Sequence, residues 1–208
     1  MSTGNYITAS CTICHHTVYK NGKPVFMNKD TDITGFLLSV YQWLDPKYAR
    51  FYKMDNLDKL GWLASEVLLK DSFHAENYQP EQTGLLLTNA SSSLDTDRKY
   101  AETIKDIPSP SVFVYTLPNI MIGEICIRNH FKGENAFFIF EYFDAAFIEQ
   151  YVNELLHNDV LKACICGWVE LLENDHKAVL FLVEKEPTEQ QELFTRQNMD
   201  KIFQTENG

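Results

Sequence analysis

Residues 109–135, SPSVFVYTLPNIMIGEICIRNHFKGEN, limit the folds open to this chain more than any other stretch. Thr116 is placed to cap a helix, and Pro118 falls in its first turn, where a missing N–H costs little. From 117 to 131 that helix carries Leu117, Ile120, Met121, Ile122, Ile125, Cys126 and Ile127. Apolar side chains on nearly every side predict a helix buried on most sides. Lys132-Gly133 supplies a stop, with a cation in the last turn.

The flanking segments read as a scaffold for it. Residues 6–13 predict a strand, and residues 17–26 a hairpin turning at Asn21-Gly22. Residues 30–44 predict a helix with Ile33, Phe36, Leu37, Val40 and Tyr41 on one face. A second helix opens at Asp55 as N-cap and carries Leu57, Leu60, Ala64, Val67 and Leu68. Residues 83–88, TGLLLT, suit a buried parallel strand running into the small-residue loop 89–93. An amphipathic helix over 94–107 follows. After the 109–135 stretch come a strand at 136–140 and a helix at 143–157, with Phe143, Phe147, Tyr151 and Leu155 every four residues. Strands at 160–171 and 178–183 close the pattern. The order β-α-β-α with late antiparallel strands predicts the α/β class, a mixed sheet with flanking helices. Residues 1–186 read as one domain. Residues 187–208 read as a polar tail in which Leu193, Phe194, Met199, Ile202 and Phe203 either mark a final helix or belong to a loosely ordered segment.

With 18 basic and 29 acidic residues the chain carries a net charge of −11. That argues against nonspecific nucleic-acid binding and against attraction to anionic membranes. An acidic partner would need a basic patch that is local or comes from a second subunit. The longest apolar runs are too short to span a bilayer, so no membrane insertion is expected. The first residues lack a basic segment followed by an apolar core. Five cysteines, an odd number, fit a reducing compartment, and a cytoplasmic location is the expectation. Cys11, Cys14 and His15 match the spacing for covalent haem attachment and offer groups for zinc. Haem attachment needs an exported chain, and no second cysteine pair with zinc spacing follows. The expectation is that they hold no metal and no cofactor. The serines of 91–93 lack the Gly and Lys of a phosphate loop and the context of a hydrolase nucleophile.

Tyr115-Thr116-Leu117-Pro118-Asn119, Lys53-Met54-Asp55, the small-residue loop at 89–93 and Cys166-Gly167-Trp168-Val169-Glu170-Leu171 together resemble the β-ketoacyl synthases of fatty acid and polyketide assembly. The resemblance runs from about residue 6 to 183 and corresponds to the N-terminal half of such an enzyme. It implies the thiolase-like fold, in which two similar halves pack together and the whole dimerises. It also implies a nucleophilic cysteine at the N-terminus of a buried helix, where the helix dipole favours thiolate. Here that place reads Glu141-Tyr142-Phe143-Asp144, with no Cys, Ser or Thr. The family's two catalytic histidines belong to its C-terminal half, and the six histidines of this chain match no part of that pattern.

The resemblance therefore implies a non-catalytic subunit similar to the chain-length factors, as in aryl polyene or flexirubin-type pathways. Its partner would be a full-length synthase or a second copy, with an acyl carrier protein as a further candidate. Ile120, Met121, Glu124, Phe137 and Phe138 are the candidates for the dimer interface and acyl channel, and Tyr142 and Phe143 mark the vestigial nucleophile position. Two alternatives stand beside this reading. One is a synthase or acyltransferase using another group, such as Glu141 or His130. The other is an acyl-chain binding protein.

Overall fold

Six successive apolar residues, Ala178 to Val183, are all inaccessible to solvent, so the strand they form is buried on both faces. The computed structural model describes residues 4–185 and 191–205. In chain order the elements are β1 (Tyr6–Cys14), β2 (Thr17–Lys20), β3 (Lys23–Met27), α1 (Ile33–Leu44), α2 (Asn56–Leu69), β4 (Thr83–Asn89), α3 (Leu94–Thr103) and α4 (Pro110–Phe113). There follow α5 (Ile120–Asn129), β5 (Asn135–Ile139), α6 (Ala145–His157), β6 (Ala163–Leu172), β7 (Asp175–Glu184), β8 (Glu192–Leu193) and α7 (Arg196–Thr205). They build one mixed sheet in the order β3-β2-β1-β7-β6-β4-β5, with β8 paired to the start of β1. Strand β4 is parallel to both β5 and β6, and the remaining pairs are antiparallel.

Each sheet face has its own apolar layer. Ala178, Leu180 and Leu182 of β7 pack with α1, α2 and α5, while Val179, Phe181 and Val183 pack with α6 and α7. The period of two that sorts these side chains is broken in β1. A register shift between Ile7 and Ala9 sends Ile7 to the α6 side and Ala9 to the α2 side. Burying each large apolar side chain contributes about 1.5–3 kcal/mol, and these two layers hold most of them.

Helix α2 forms where Asp55 accepts from the Asp58 amide at 2.7 Å, as its N-cap role predicts. Helix α6 is capped likewise by Asp144, which accepts from the Phe147 amide at 2.9 Å. It starts two residues later than the periodicity predicts, so Phe143 precedes it. Ala145, Ile148, Val152 and Leu156 face the sheet, and Gln150, Glu154 and His157 are exposed. Where the resemblance implies a buried helix, α6 therefore has a polar outer side. At the far end Phe194 and Met199 are buried in the α6 layer, and Thr195 Oγ1 accepts from the Asn198 amide at 3.3 Å to start α7.

The helix expected over 117–131 differs in three ways. It spans only Ile120–Asn129, preceded by a 3-10 turn at Val114–Thr116. Thr116 is not its cap, because its hydroxyl donates back to the Phe113 carbonyl at 2.7 Å. It ends at His130 in the left-handed conformation, before Lys132-Gly133. Burial is also one-sided: Met121, Ile122 and Ile125 are in the core, while Ile127 is 53% exposed. Among the described residues no single helix is long and apolar enough to cross a membrane.

Gly167 sits at φ +146° in β6, where a Cβ would collide with the Val179 carbonyl. Its own carbonyl accepts from Thr88 Oγ1 at 2.9 Å, which fixes β4 against β6. Gly167→Ala is expected to destabilise the fold by about 2 kcal/mol or more, read as a lowered urea midpoint with unchanged slope.

Candidate functional site

Three chain segments meet at the carboxyl ends of the parallel strands, where open α/β sheets place their binding crevices. They are the loop after β4 (residues 90–93), the loop after β5 (140–144) and the last turns of β6. The first is fixed by charge-assisted hydrogen bonds. Glu170 Oε2 accepts from the amides of Ala90 at 2.7 Å and Ser91 at 3.1 Å. Asn89 closes the same loop by accepting from the Ser92 amide and donating to its carbonyl. Ser93 Oγ donates to the Thr116 carbonyl at 2.6 Å, tying this loop to the turn that precedes α5. The serines are thus used in turn and loop contacts, as their sequence context predicts.

The second loop holds the position where the resemblance implies a nucleophile. Tyr142 is 68% exposed and points no reactive group into the fold. Phe143 is half-buried and stacks on Phe203 of α7, with ring centroids 4.2 Å apart and planes within 4°. Trp168 and Phe181 lie around the pair at 6.4 Å. Lys177 closes the group, with Nζ 4.0 Å from the centre of the Phe203 ring and 2.7 Å from its carbonyl oxygen. The site is an aromatic cluster sealed by the chain's own last helix. Periodicity marked Phe203 as apolar but carried nothing about its partner 60 residues away.

Burial pushes Cys164 up to about 12 and Cys126 up to about 11, and it raises Cys11 and Cys166 as well. Cys11 and Cys14 lie buried in β1, while His15 is exposed at the turn after it. Among the described residues no group of three or more His, Cys, Asp or Glu side chains is placed to hold a metal ion.

The five interface candidates divide by position. Met121 is buried, its sulfur lying where a Cβ at Gly61 of α2 would stand. Ile120 is half-buried at the start of α5. Glu124 is buried and turned inward. It accepts from Arg50 through both carboxylate oxygens, the Nε bond at 2.8 Å, and from the Tyr48 hydroxyl at 3.0 Å. Burial, together with Glu124, pushes Tyr48 up to about 12. Phe137 and Phe138, on successive positions of β5, pack half-buried on the α2 and α6 sides respectively. Beside them Ile139 is 48% exposed, at the edge of the sheet.

Exposed apolar residues concentrate in one stretch of the chain. Sixteen large apolar residues are exposed among the described residues, and eight lie between 104 and 142 in the sequence, including Phe113, Leu117, Ile127, Ile139 and Tyr142. Exposed apolar surface, where contiguous, is the kind that interaction sites use. A second surface is basic. Lys47, Arg50 and Lys53 are exposed on and beside the 3-10 turn Ala49–Lys53, with exposed Tyr52 among them. Of these cations, only Arg50 has an ion-pair partner among the described residues. Sequence reading required a basic patch for an acidic partner, local or from a second subunit, and did not locate this one.

No protein-family model and no curated protein matches the sequence. Solved structures do match. The ishigamide ketosynthase/chain length factor is 16% identical, with a TM-score of 0.61 over 87% of this chain and 62% of that one. A type II PKS acyl-carrier protein in complex with its ketosynthase bound to the hexaketide gives 17% identity and a TM-score of 0.58 over 88% of this chain and 63% of that chain. The ketosynthase ApeO in complex with its chain length factor ApeC, from Xenorhabdus doucetiae, gives 11% and 0.55 over 89% and 80%. The chain has the thiolase-like α/β fold of ketosynthases and chain length factors. It spans less than two thirds of the length of the first two.

Burial of the thiols predicts chemical silence. Iodoacetamide at neutral pH is expected to leave Cys11, Cys126, Cys164 and Cys166 unmodified in the folded protein, and to label all five cysteines in urea. Mass spectrometry of the intact chain reads the difference.

Proposed function

We propose that this chain is a non-catalytic ketosynthase-like subunit of the chain-length-factor kind. It pairs with an active synthase in fatty acid or polyketide assembly, in a cytoplasmic setting. The observation that carries the reading is the start of α6. Tyr142 and Phe143 stand where the fold would present a thiol, and Phe203 stacks on Phe143. Neither side chain can form an acyl thioester, and the buried cysteines lie elsewhere. An acid-base constellation around a nucleophile is therefore not assembled at this position. Within that reading, the aryl polyene branch is the finer proposal, favoured by the likeness to the ApeO–ApeC complex.

The exposed apolar residues of 104–142 support a partner. Strand β5 pairs with β4 on one side only, and its other edge carries no strand among the described residues. An open edge on a strand that carries the half-exposed Ile139 suits docking of a second subunit, a synthase or another copy, by strand addition. The basic patch of Lys47, Arg50 and Lys53 supports an acidic carrier protein as a further partner, since the rest of a chain of net charge −11 would repel one.

Two outcomes test this. The purified protein is expected to show no condensation with acyl and malonyl carrier-protein substrates. Turnover above a heat-denatured sample would reject the non-catalytic reading. In light scattering the protein is expected as a dimer or, with its synthase, as a complex. Ile139→Asp should weaken that association by about tenfold while leaving the urea midpoint of the subunit nearly unchanged, because Ile139 is already half exposed. A stable monomer that binds no synthase would contradict it.

A further inference from the structure

Three carboxylates converge beneath the basic patch, and one of them has no donor. Asp55 is capped by its helix: it accepts from the Asp58 amide at 2.7 Å and from the Thr96 hydroxyl. Glu124 accepts from Arg50 twice and from the Tyr48 hydroxyl. Burial raises Asp55 above the ordinary carboxyl value, against the opposing pull of its two hydrogen bonds. Asp58 has no such bonds among the described residues. It is 1% exposed, and its Oδ2 is buried with no hydrogen-bond partner. The charged groups that act on it are Asp55 and Glu124, both acids.

The surrounding groups offer it no compensating charge. On α2 itself, Lys59 is half-buried and its ammonium lies 5.6 Å from the centre of the Phe51 ring. From the 3-10 turn Ala49–Lys53, Arg50 is bound at both ends to Glu124. From α5 the facing group is Glu124, and from the turn before α5 it is Tyr115, whose hydroxyl is shifted up chiefly by burial. From α3, Lys99 is paired to Asp95 at 2.5 Å. Asp58 stands in the first turn of α2, where the helix dipole favours an anion. That dipole supplies only about half an elementary charge, and taking an unpaired carboxylate out of water costs more than it returns.

We infer that Asp58 carries a proton at neutral pH, and that its ionisation beside Glu124 makes the packing of α2 against α5 pH-sensitive under the Lys47–Arg50–Lys53 patch. Loss of the proton sets a second anion beside Glu124 and leaves it without a donor. Tyr48 and Arg50 are both tied to Glu124, so the strain falls on the element that carries the patch. This inference does not depend on what the patch binds.

The sign of the pH effect follows from the direction of the shift. Burial raises Asp58 well above the ordinary carboxyl value when folded. In the unfolded chain it titrates at about 3.9. Below that pH both states hold the proton and the fold has its full stability. As pH rises the unfolded chain ionises first, so stability falls until the folded carboxyl ionises too, and is level beyond that.

Urea unfolding from pH 4 to pH 9 tests this on the full chain. Against Asp58→Asn, the wild-type unfolding constant is expected to rise with pH from about pH 4, by up to about tenfold per unit, until the folded carboxyl ionises, and to be level beyond that. Asp58→Asn should be the more stable of the two at pH 9. Equal pH slopes in the two proteins, or a less stable Asp58→Asn at pH 9, would overturn the inference. Infrared spectroscopy of the wild type at pH 7 reads the proton directly. A carboxylic-acid C=O band that disappears in Asp58→Asn is expected, and its absence from the folded wild type would also overturn it.

Discussion

Strands β6 and β7 have almost no solvent-facing side, and a sheet buried in this way needs a covering layer on each face. The chain supplies both. On one face α1, α2 and α5 bury Trp62, Phe36 and Leu180; on the other α6 and α7 bury Phe181, Cys164 and Met199. Much else is set by that demand. Gly167 lets β6 lie tightly on β7, and the β1 bulge lets one strand serve both layers. Helix α7 is held by a few apolar side chains over the part of the sheet that α6 does not reach. The polar outer side of α6 fits a helix that meets water, in contrast to one packed between two halves.

Much of the fold was legible because its signals are local. The Asn21-Gly22 turn, the Asp55 cap, the continuous apolar run at 83–88 and the four-residue stripe of α6 each need only a few neighbouring residues. Boundaries were harder at α5, where apolar residues continue past both ends of the helix. Leu117 and Ile127 are apolar yet about half exposed, so composition alone overstated both the length of the helix and its burial. Hydrophobicity reports that a residue leaves water, and a partner surface satisfies that as well as a core.

The site was less legible because its interactions are long-range. That residues 142 and 143 are Tyr and Phe is itself sequence information. What these side chains touch is not. Phe143 meets Phe203, Glu124 meets Arg50 across 74 residues, and Glu170 meets a loop 80 residues earlier. Glu124 shows the cost. An acid in an apolar helix reads as a functional group facing a channel, whereas its neighbours turn it into an internal tie between α5 and the turn at Ala49–Lys53.

The sheet order also bears on how the chain is made. Strand β1 belongs to the hairpin at the start of the chain, yet its second partner is β7, with Cys14 opposite Lys177. During synthesis the hairpin must wait for roughly 160 residues to follow it, which at ribosomal speed is about 10 to 30 s. For that interval β1 has no neighbouring strand on that side, and Ile7 has no covering helix from α6 or α7. A nascent chain with an unpaired apolar edge for so long is a substrate for chaperones and for aggregation, and its yield on expression will depend on temperature and translation rate as much as on the stability of the finished fold.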